Sequence, residues 1–494
     1  MTDAYEKMLG RCRELAILNS TGSLLHWDQE TYMPPKAITF RAEQLAYFAG
    51  KSHQLGTGPE VGDWIRACEG AGYTPDSTES VNIRQWRRGY DRATKIPQRL
   101  VEDMQKASSL GQHAWSEARA KSDFSLFKPH LEKLVTLSRE MTEHLGYKKF
   151  RYDALLDEYE RGADTASIQS TFDSLRPAVV GIVAEATERS RSVPESLLSD
   201  HYPVAAQMAF NREVAEAIGY PFDCGRVDTV THPFCTGLGP RDVRITTRYD
   251  EGDFTSSLYG VLHEAGHALY NLGLPEADYG TPSGEYCSLG IHESQSRLWE
   301  NHVGRTLDFW QHWFGRACHH FPGLRNRTPE QIARAVLRVC PTFIRVEADE
   351  CTYDLHIILR FGIESALING DIQVAEIPAL WNSEFEKMFG LKVPDDSKGC
   401  LQDVHWSMGG FGYFPTYTLG NLNASQLMRR AAADHPGLCA EIAVGQYGNL
   451  LSWLRQKIHS MGQRLSPQDL MKQATGEPTR SLCHVEYLRK KYLG

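Results

Sequence analysis

Apolar residues recur three or four positions apart over Leu100–Met104, Leu126–Leu145, Thr171–Ala186, Gln331–Val339 and Leu427–Val444, with charged residues between them. At 100° per residue such spacing gathers them on one stripe, so each segment predicts an amphipathic helix. Strand-like alternation is scarce. Its best instance is Asp242–Tyr249, where Val243, Ile245 and Thr247 alternate with polar neighbours, and it predicts a short β ribbon just upstream of a helix. Chain breakers cluster at Met33–Pro35, Gly56–Gly62, Asp223–Pro240 and Asp395–Gly420. None is a long Ser/Gly/Pro linker, and no repeat or low-complexity tract interrupts the chain. The economical reading is one large, mainly α domain over residues 1–494, with two lobes and no independent modules.

Composition narrows the partner. Lys and Arg number 53 against 62 Asp and Glu, a net charge of -9, whereas nucleic-acid binding draws on a cationic surplus. A small or peptidic ligand is expected, with neither nucleic acid nor membrane as partner. The 11 cysteines are odd in number and irregularly spaced, which fits a reducing compartment better than a disulfide framework. The first residues, MTDAYEKMLGRCREL, lack an apolar signal core, and no apolar run reaches membrane-spanning length. A cytoplasmic location is expected.

The sharpest chemical signal is His263-Glu264-Ala265-Gly266-His267. Histidines four apart on a helix lie on one face and can reach a single metal ion, with Glu264 beside them. Leu258, Val261, Leu262, Ala265 and Leu269 can bury the same helix without any metal, so further ligands must decide between a metal helix and a core helix. A hydrolytic zinc takes three protein ligands and leaves a position for water. The extended motif with a third histidine is excluded, because Tyr270 and Gly273 occupy its glycine and histidine positions. Glu293, in the helical run Ile291–Glu300, is the next candidate. Its ordinary alternative is an i,i+4 ion pair with Arg297, and Glu300 is the reserve.

A series of further motifs follows the same order as in a known family. Trp27-Asp28-Gln29-Glu30-Thr31 with Met33-Pro34 comes first, then His232-Pro233-Phe234 and Asp242-Val243-Arg244-Ile245-Thr246. After the paired histidines come His292-Glu293-Ser294-Gln295-Ser296, Ile344-Arg345-Val346-Glu347-Ala348-Asp349 and Gly399-Cys400-Leu401-Gln402-Asp403-Val404-His405-Trp406. Over nearly its whole length the chain resembles the carboxypeptidase Taq family of zinc metallocarboxypeptidases. The resemblance implies a large helical metallopeptidase fold with a deep substrate groove between two lobes, usually as a homodimer. It also implies stepwise removal of single C-terminal residues with broad side-chain tolerance. His263, His267 and Glu293 are then the zinc ligands and Glu264 the general base.

The remaining roles are assigned by the chemistry each step needs. The oxyanion calls for a donor, and His405 and Tyr417 are the candidates, with Tyr413 as the alternative to Tyr417. Tyr417 resembles the tyrosine that fills this role in related helical peptidases. A free C-terminal carboxylate calls for an arginine fork, first Arg345, with Arg244 and His232 shaping the groove. Arg345 is equally suited to an ion pair with nearby acids. Asp349 or Glu350 could orient a ligand histidine; His292, His319 and His320 stay outside the ligand set, and Asp403 is a substrate-pocket candidate. Zinc is the expected metal, with cobalt or manganese able to occupy the same donors. Competing readings are a dipeptidyl carboxypeptidase or oligopeptidase with the same site, a non-catalytic zinc scaffold, and a cysteine hydrolase using Cys235 or Cys287.

Overall fold

The apolar stripes become helices. A computed structural model describes residues 1–494, and the predicted segments fall in helices Gln98–Lys121, Phe124–Leu145, Thr165–Ser190, Pro329–Val336 and Pro415–Asp434. Two of the predicted stretches are too long. The helix expected to reach Val339 stops at Val336, ahead of Pro341, and the Val339 N–H donates to Ser190 Oγ instead (2.9 Å). The stretch Leu427–Val444 breaks after Asp434 and resumes at Leu438–Ala443, because Pro436 has no N–H to continue the ladder.

The chain forms two compact units, each built from three separated stretches of sequence. The first comprises Met1–Ala93, Pro194–Val336 and Ala424–Pro478; the second comprises Thr94–Val193, Leu337–Asn423 and Thr479–Gly494. In the second unit Phe172, Val179, Phe361 and Trp381 lie in one core. The helix Glu350–Asn369 at its centre is buried nearly all round, and several of its polar groups are bonded internally. Glu364, for example, accepts from Tyr152 Oη (2.5 Å), Trp406 Nε1 (2.7 Å) and Gly412 N (3.1 Å).

The first unit holds the ribbon and the paired histidines. Three strands, β1 (Val227–Thr229), β2 (Cys235–Gly239) and β3 (Asp242–Thr247), form a sheet in the order β1-β3-β2. β3 is the predicted ribbon; it pairs parallel to β1 and antiparallel to β2. Val243 and Ile245 are fully buried in the same core as Leu258, Val261, Leu262 and Leu269 of the helix Phe254–Gly273. That helix, the metal helix below, starts where Asp253 accepts from Thr255 N (2.9 Å), the usual N-cap use of a short acid.

A second helix, Leu289–Arg297, is capped by Ser288, which accepts from Ile291 N (3.2 Å). It runs on into a π-helical segment, Leu298–Gly304. It packs on the metal helix at Gly266, where an added Cβ would lie 2.7 Å from both Gln295 O and Ser296 Cα. Both neighbours are backbone atoms and cannot swing aside. Gly266→Ala should therefore separate the two helices and destabilise the first unit by about 2–3 kcal/mol, as overpacking of a tight core does. A thermal melt within a degree of wild type would remove this close approach from the account.

Candidate metal centre

His263 and His267 stand one turn apart on the metal helix, with ring centroids 4.9 Å apart. Glu293 reaches them from the second helix: its Oε2 lies 3.6 Å from His263 Nε2 and 3.4 Å from His267 Nε2. Metal–donor bonds of about 2.0–2.1 Å at tetrahedral angles place donor atoms about 3.3–3.4 Å apart, so the three atoms fit the edges of such a site. They form the group of convergent His and acidic side chains suited to a metal ion. Glu264 lies buried beside them, 7 % exposed.

Hydrogen bonds fix which nitrogen of each histidine is bare. Glu300 Oε2 lies 2.9 Å from His263 Nδ1; a carboxylate accepts there, so in the neutral ring the proton sits on Nδ1 and the lone pair is on Nε2. His267 reaches the same state through neutral groups. His292 Nε2 donates to Asn271 Oδ1 (2.9 Å), which leaves His292 Nδ1 to accept from His267 Nδ1 (2.6 Å). Burial, with His267 beside it, pushes His292 well below the usual histidine range and keeps it neutral, as this relay requires. Both Nε2 lone pairs thus face Glu293, which is the arrangement a cation needs.

The acids differ by their neighbours. Burial opposes ionisation of Glu293, but Arg297 and the two histidines outweigh it and hold its carboxyl well below the usual carboxylate range. Arg297 Nε donates to Glu293 Oε1 (2.7 Å) and Nη1 to Glu300 Oε2 (3.3 Å). Glu300, also flanked by Arg305, is likewise held low against its burial. The i,i+4 ion pair with Arg297 thus takes Oε1 of Glu293 and leaves Oε2 facing the two histidines. Glu264 has no arginine; burial raises its carboxyl, and only His263 and His267 pull the other way.

The orienting partners thus differ from those expected. Asp349 caps the Glu350–Asn369 helix, accepting from Cys351 N and Thr352 N (both 3.0 Å). Glu350 accepts from Tyr487 Oη (2.7 Å), Lys491 Nζ (2.5 Å) and Tyr492 Oη (2.8 Å). Both acids have work inside the second unit, while Glu300 and His292 orient the metal histidines. The sequence signal for Glu300 was its place seven residues beyond Glu293, on the same helical face; nothing in the spacing pointed to the His292 relay. His320, set aside earlier, pairs with Glu213 (2.9 Å).

Of the groove candidates, Arg244 projects from β3, bonds Asp242 through Nε and Nη2 (2.9 and 2.8 Å) and lies over the Trp27 ring at 4.3 Å. His232 is exposed in the β1–β2 connection. The other candidates share a cluster in the second unit. Arg345 Nε and Nη2 both reach Asp403 Oδ1 (2.9 and 2.8 Å), and Nη1 reaches Tyr353 Oη (2.8 Å). One N–H on each of Nη1 and Nη2 remains beyond these bonds. Asp403 Oδ2 accepts from Arg360 Nε (2.7 Å), so Asp403 bridges two buried arginines. The Tyr417 ring lies 5.1 Å from the Arg345 guanidinium carbon and 5.4 Å from the Tyr413 ring. Burial pushes the His405 imidazole down to about 4 against the pull of Asp403, keeping it neutral, and its Nδ1 is buried without a hydrogen-bond partner.

The cysteine-nucleophile reading loses support here. Burial, with Glu264 nearby, raises the Cys235 thiol well above its usual range, the opposite of an activated thiolate. Cys287 is buried and donates to Leu465 O (3.4 Å).

The model of the carboxypeptidase Taq (M32) metallopeptidase family matches residues 7–492. Thermostable carboxypeptidase 1 of Thermus thermophilus is 42% identical over 501 residues, spanning 99% of this chain and 98% of the relative. The crystal structure of the M32 carboxypeptidase from Deinococcus radiodurans is 37% identical, with a TM-score of 0.96 and 99% of each chain covered. A Pyrococcus furiosus carboxypeptidase structure is 35% identical, with a TM-score of 0.96 over 100% of this chain and 99% of the other. With its helical fold and its converging histidine and glutamate donors, this chain belongs to the carboxypeptidase Taq (M32) family of metallopeptidases.

Proposed function

We propose that the chain is a zinc carboxypeptidase that removes one C-terminal residue per cycle from peptides, with broad side-chain tolerance. The observation that carries the reading is the meeting of two bare Nε2 atoms with Glu293 Oε2 at 3.4 and 3.6 Å, beside a buried carboxylate that no arginine holds. When bound by His263, His267 and Glu293, zinc lowers the pKa of water and polarises a carbonyl. This two-nitrogen, one-oxygen set suits zinc, and cobalt or manganese can substitute.

Glu264 takes the proton of the attacking water and returns it to the leaving amine. A carboxyl raised by burial suits both halves of that cycle, since it accepts and releases a proton more evenly than an exposed acid. His405, neutral at physiological pH, and Tyr417 are proposed as donors to the developing oxyanion, with Tyr413 as the alternative to Tyr417. Arg345 is proposed to read the C-terminal carboxylate through its remaining Nη hydrogens, and Arg244 and His232 to limit substrate reach past the scissile bond. A cytoplasmic homodimer acting on free peptides completes the proposal; no helix is long and apolar enough to cross a membrane, and the eleven cysteines are all free.

Mass spectrometry of an N-terminally blocked peptide, offered as free acid and as C-terminal amide, tests the reading. Single-residue loss from the acid alone, abolished by a chelator and restored by zinc, is the expected result; internal or two-residue cuts would point to an oligopeptidase.

Glu264→Gln should keep a full equivalent of metal by elemental analysis yet lose at least about 100-fold in kcat, the range of a lost acid–base group. His263→Ala should lose metal and turnover together. Normal turnover in Glu264→Gln would refute the general-base role.

Glu300→Gln replaces the acceptor of the His263 Nδ1 proton with a weaker one and should lower metal affinity about 10–100-fold, as loss of such an orienting partner does. Competition with a fluorescent chelator measures this, and an unchanged affinity would leave Glu300 as a partner of Arg297 and Arg305 alone.

A further inference from the structure

The first unit contains an open cavity of about 500 Å3 that none of the assigned roles uses. One wall is the helix Asp3–Thr31, at Leu15, Ala16 and Ser20; another is the edge strand β2, at Gly237 and Gly239; the floor is the turn-rich segment 274–286. The cavity begins at the metal centre's outer shell. Asn271, which accepts from His292, lines it, and so does Tyr286, whose ring lies 5.0 Å from that of His292.

The lining is one-sided in charge. It includes no lysine, arginine or histidine, but it does include Glu276 and Glu285. Glu276 is exposed and paired with Arg241 (3.2 Å). Glu285 has no such neighbour, and burial alone pushes its carboxyl up to about 7. The ionisable groups that face it, Tyr279 and Cys12, are acids and offer no positive charge. Trp86, Tyr279 and Tyr286 supply aromatic wall. A carboxylate set among rings and polar amides, without a cation, is the complement of an organic ammonium ion.

We propose that this cavity is a substrate subsite for a primary ammonium group, with Glu285 as counter-ion and the aromatic residues around it as the apolar wall. The ammonium is either the α-amino terminus of a short peptide or a lysine side chain. The proposal rests on the peptide-substrate reading above. It predicts that substrate choice depends on charge upstream of the cleaved bond, independently of the group that reads the C-terminus.

Calorimetric titration of the zinc-loaded protein with tetrapeptide amides separates this from turnover, since an amide lacks the free C-terminus that a carboxypeptidase cuts. Free-amine peptide should bind about tenfold more tightly than its N-acetyl counterpart, the scale of one charge-assisted hydrogen bond. Glu285→Gln should abolish that ratio without changing affinity for the acetylated peptide, and Glu285→Asp should restore part of it. An acetylated peptide carrying lysine, compared with norleucine, identifies the side chain as the source if only that pair differs. Equal affinities across both pairs in the wild type, or a ratio kept in Glu285→Gln at an unchanged melting temperature, would overturn the subsite. If the free-acid peptides are not hydrolysed at all, the carboxypeptidase reading fails, while the calorimetric ratio still decides the subsite.

Discussion

Everything at the metal centre depends on two helices approaching backbone to backbone at Gly266. Two of the converging donors come from one helix and the third from the other, and short side chains reach a common point only if their axes nearly touch. There is not room for a single Cβ between Gly266 of the metal helix and the backbone of Gln295 and Ser296. The two variable positions between the histidines are therefore filled for packing: Ala265 is fully buried in the core, and Gly266 admits the partner backbone.

Convergence then creates an electrostatic problem. Three carboxylates, Glu264, Glu293 and Glu300, are each less than a tenth exposed, and buried charge is costly unless paired. Arg297 and Arg305 compensate two of them. Glu264 is left with the histidines alone, and a divalent cation on those histidines would supply the missing positive charge.

A parallel economy operates in the second unit. Asp403 sits between Arg345 and Arg360 and is held well below the usual carboxylate range by them despite its burial. Arg345 and Asp403 lie 58 positions apart in sequence, yet they meet in one ion-pair network. This explains how an arginine can be both a structural member of the core and a group with N–H donors to spare.

The sequence by itself determined the helical class, the β3 ribbon, the two-histidine helix with its neighbouring acid, and Glu293 as the acid that meets the two histidines. These rest on short-range periodicity and spacing, which the helix repeat converts directly into a shared face. The helix ends at Val336 and Asp434 were misjudged, because apolar periodicity ran on past Val336, where the Val339 N–H turns to Ser190, and past Asp434, where Pro436 ends the ladder. Tertiary structure alone decided that Glu300 and His292 orient the histidines and that Asp349 and Glu350 do not. It likewise decided that Arg345 is bound to Asp403 and that Glu285 lines a cavity without a cation. Each of these turns on which side chains, distant in sequence, share a low-dielectric space, and a linear pattern carries no record of that.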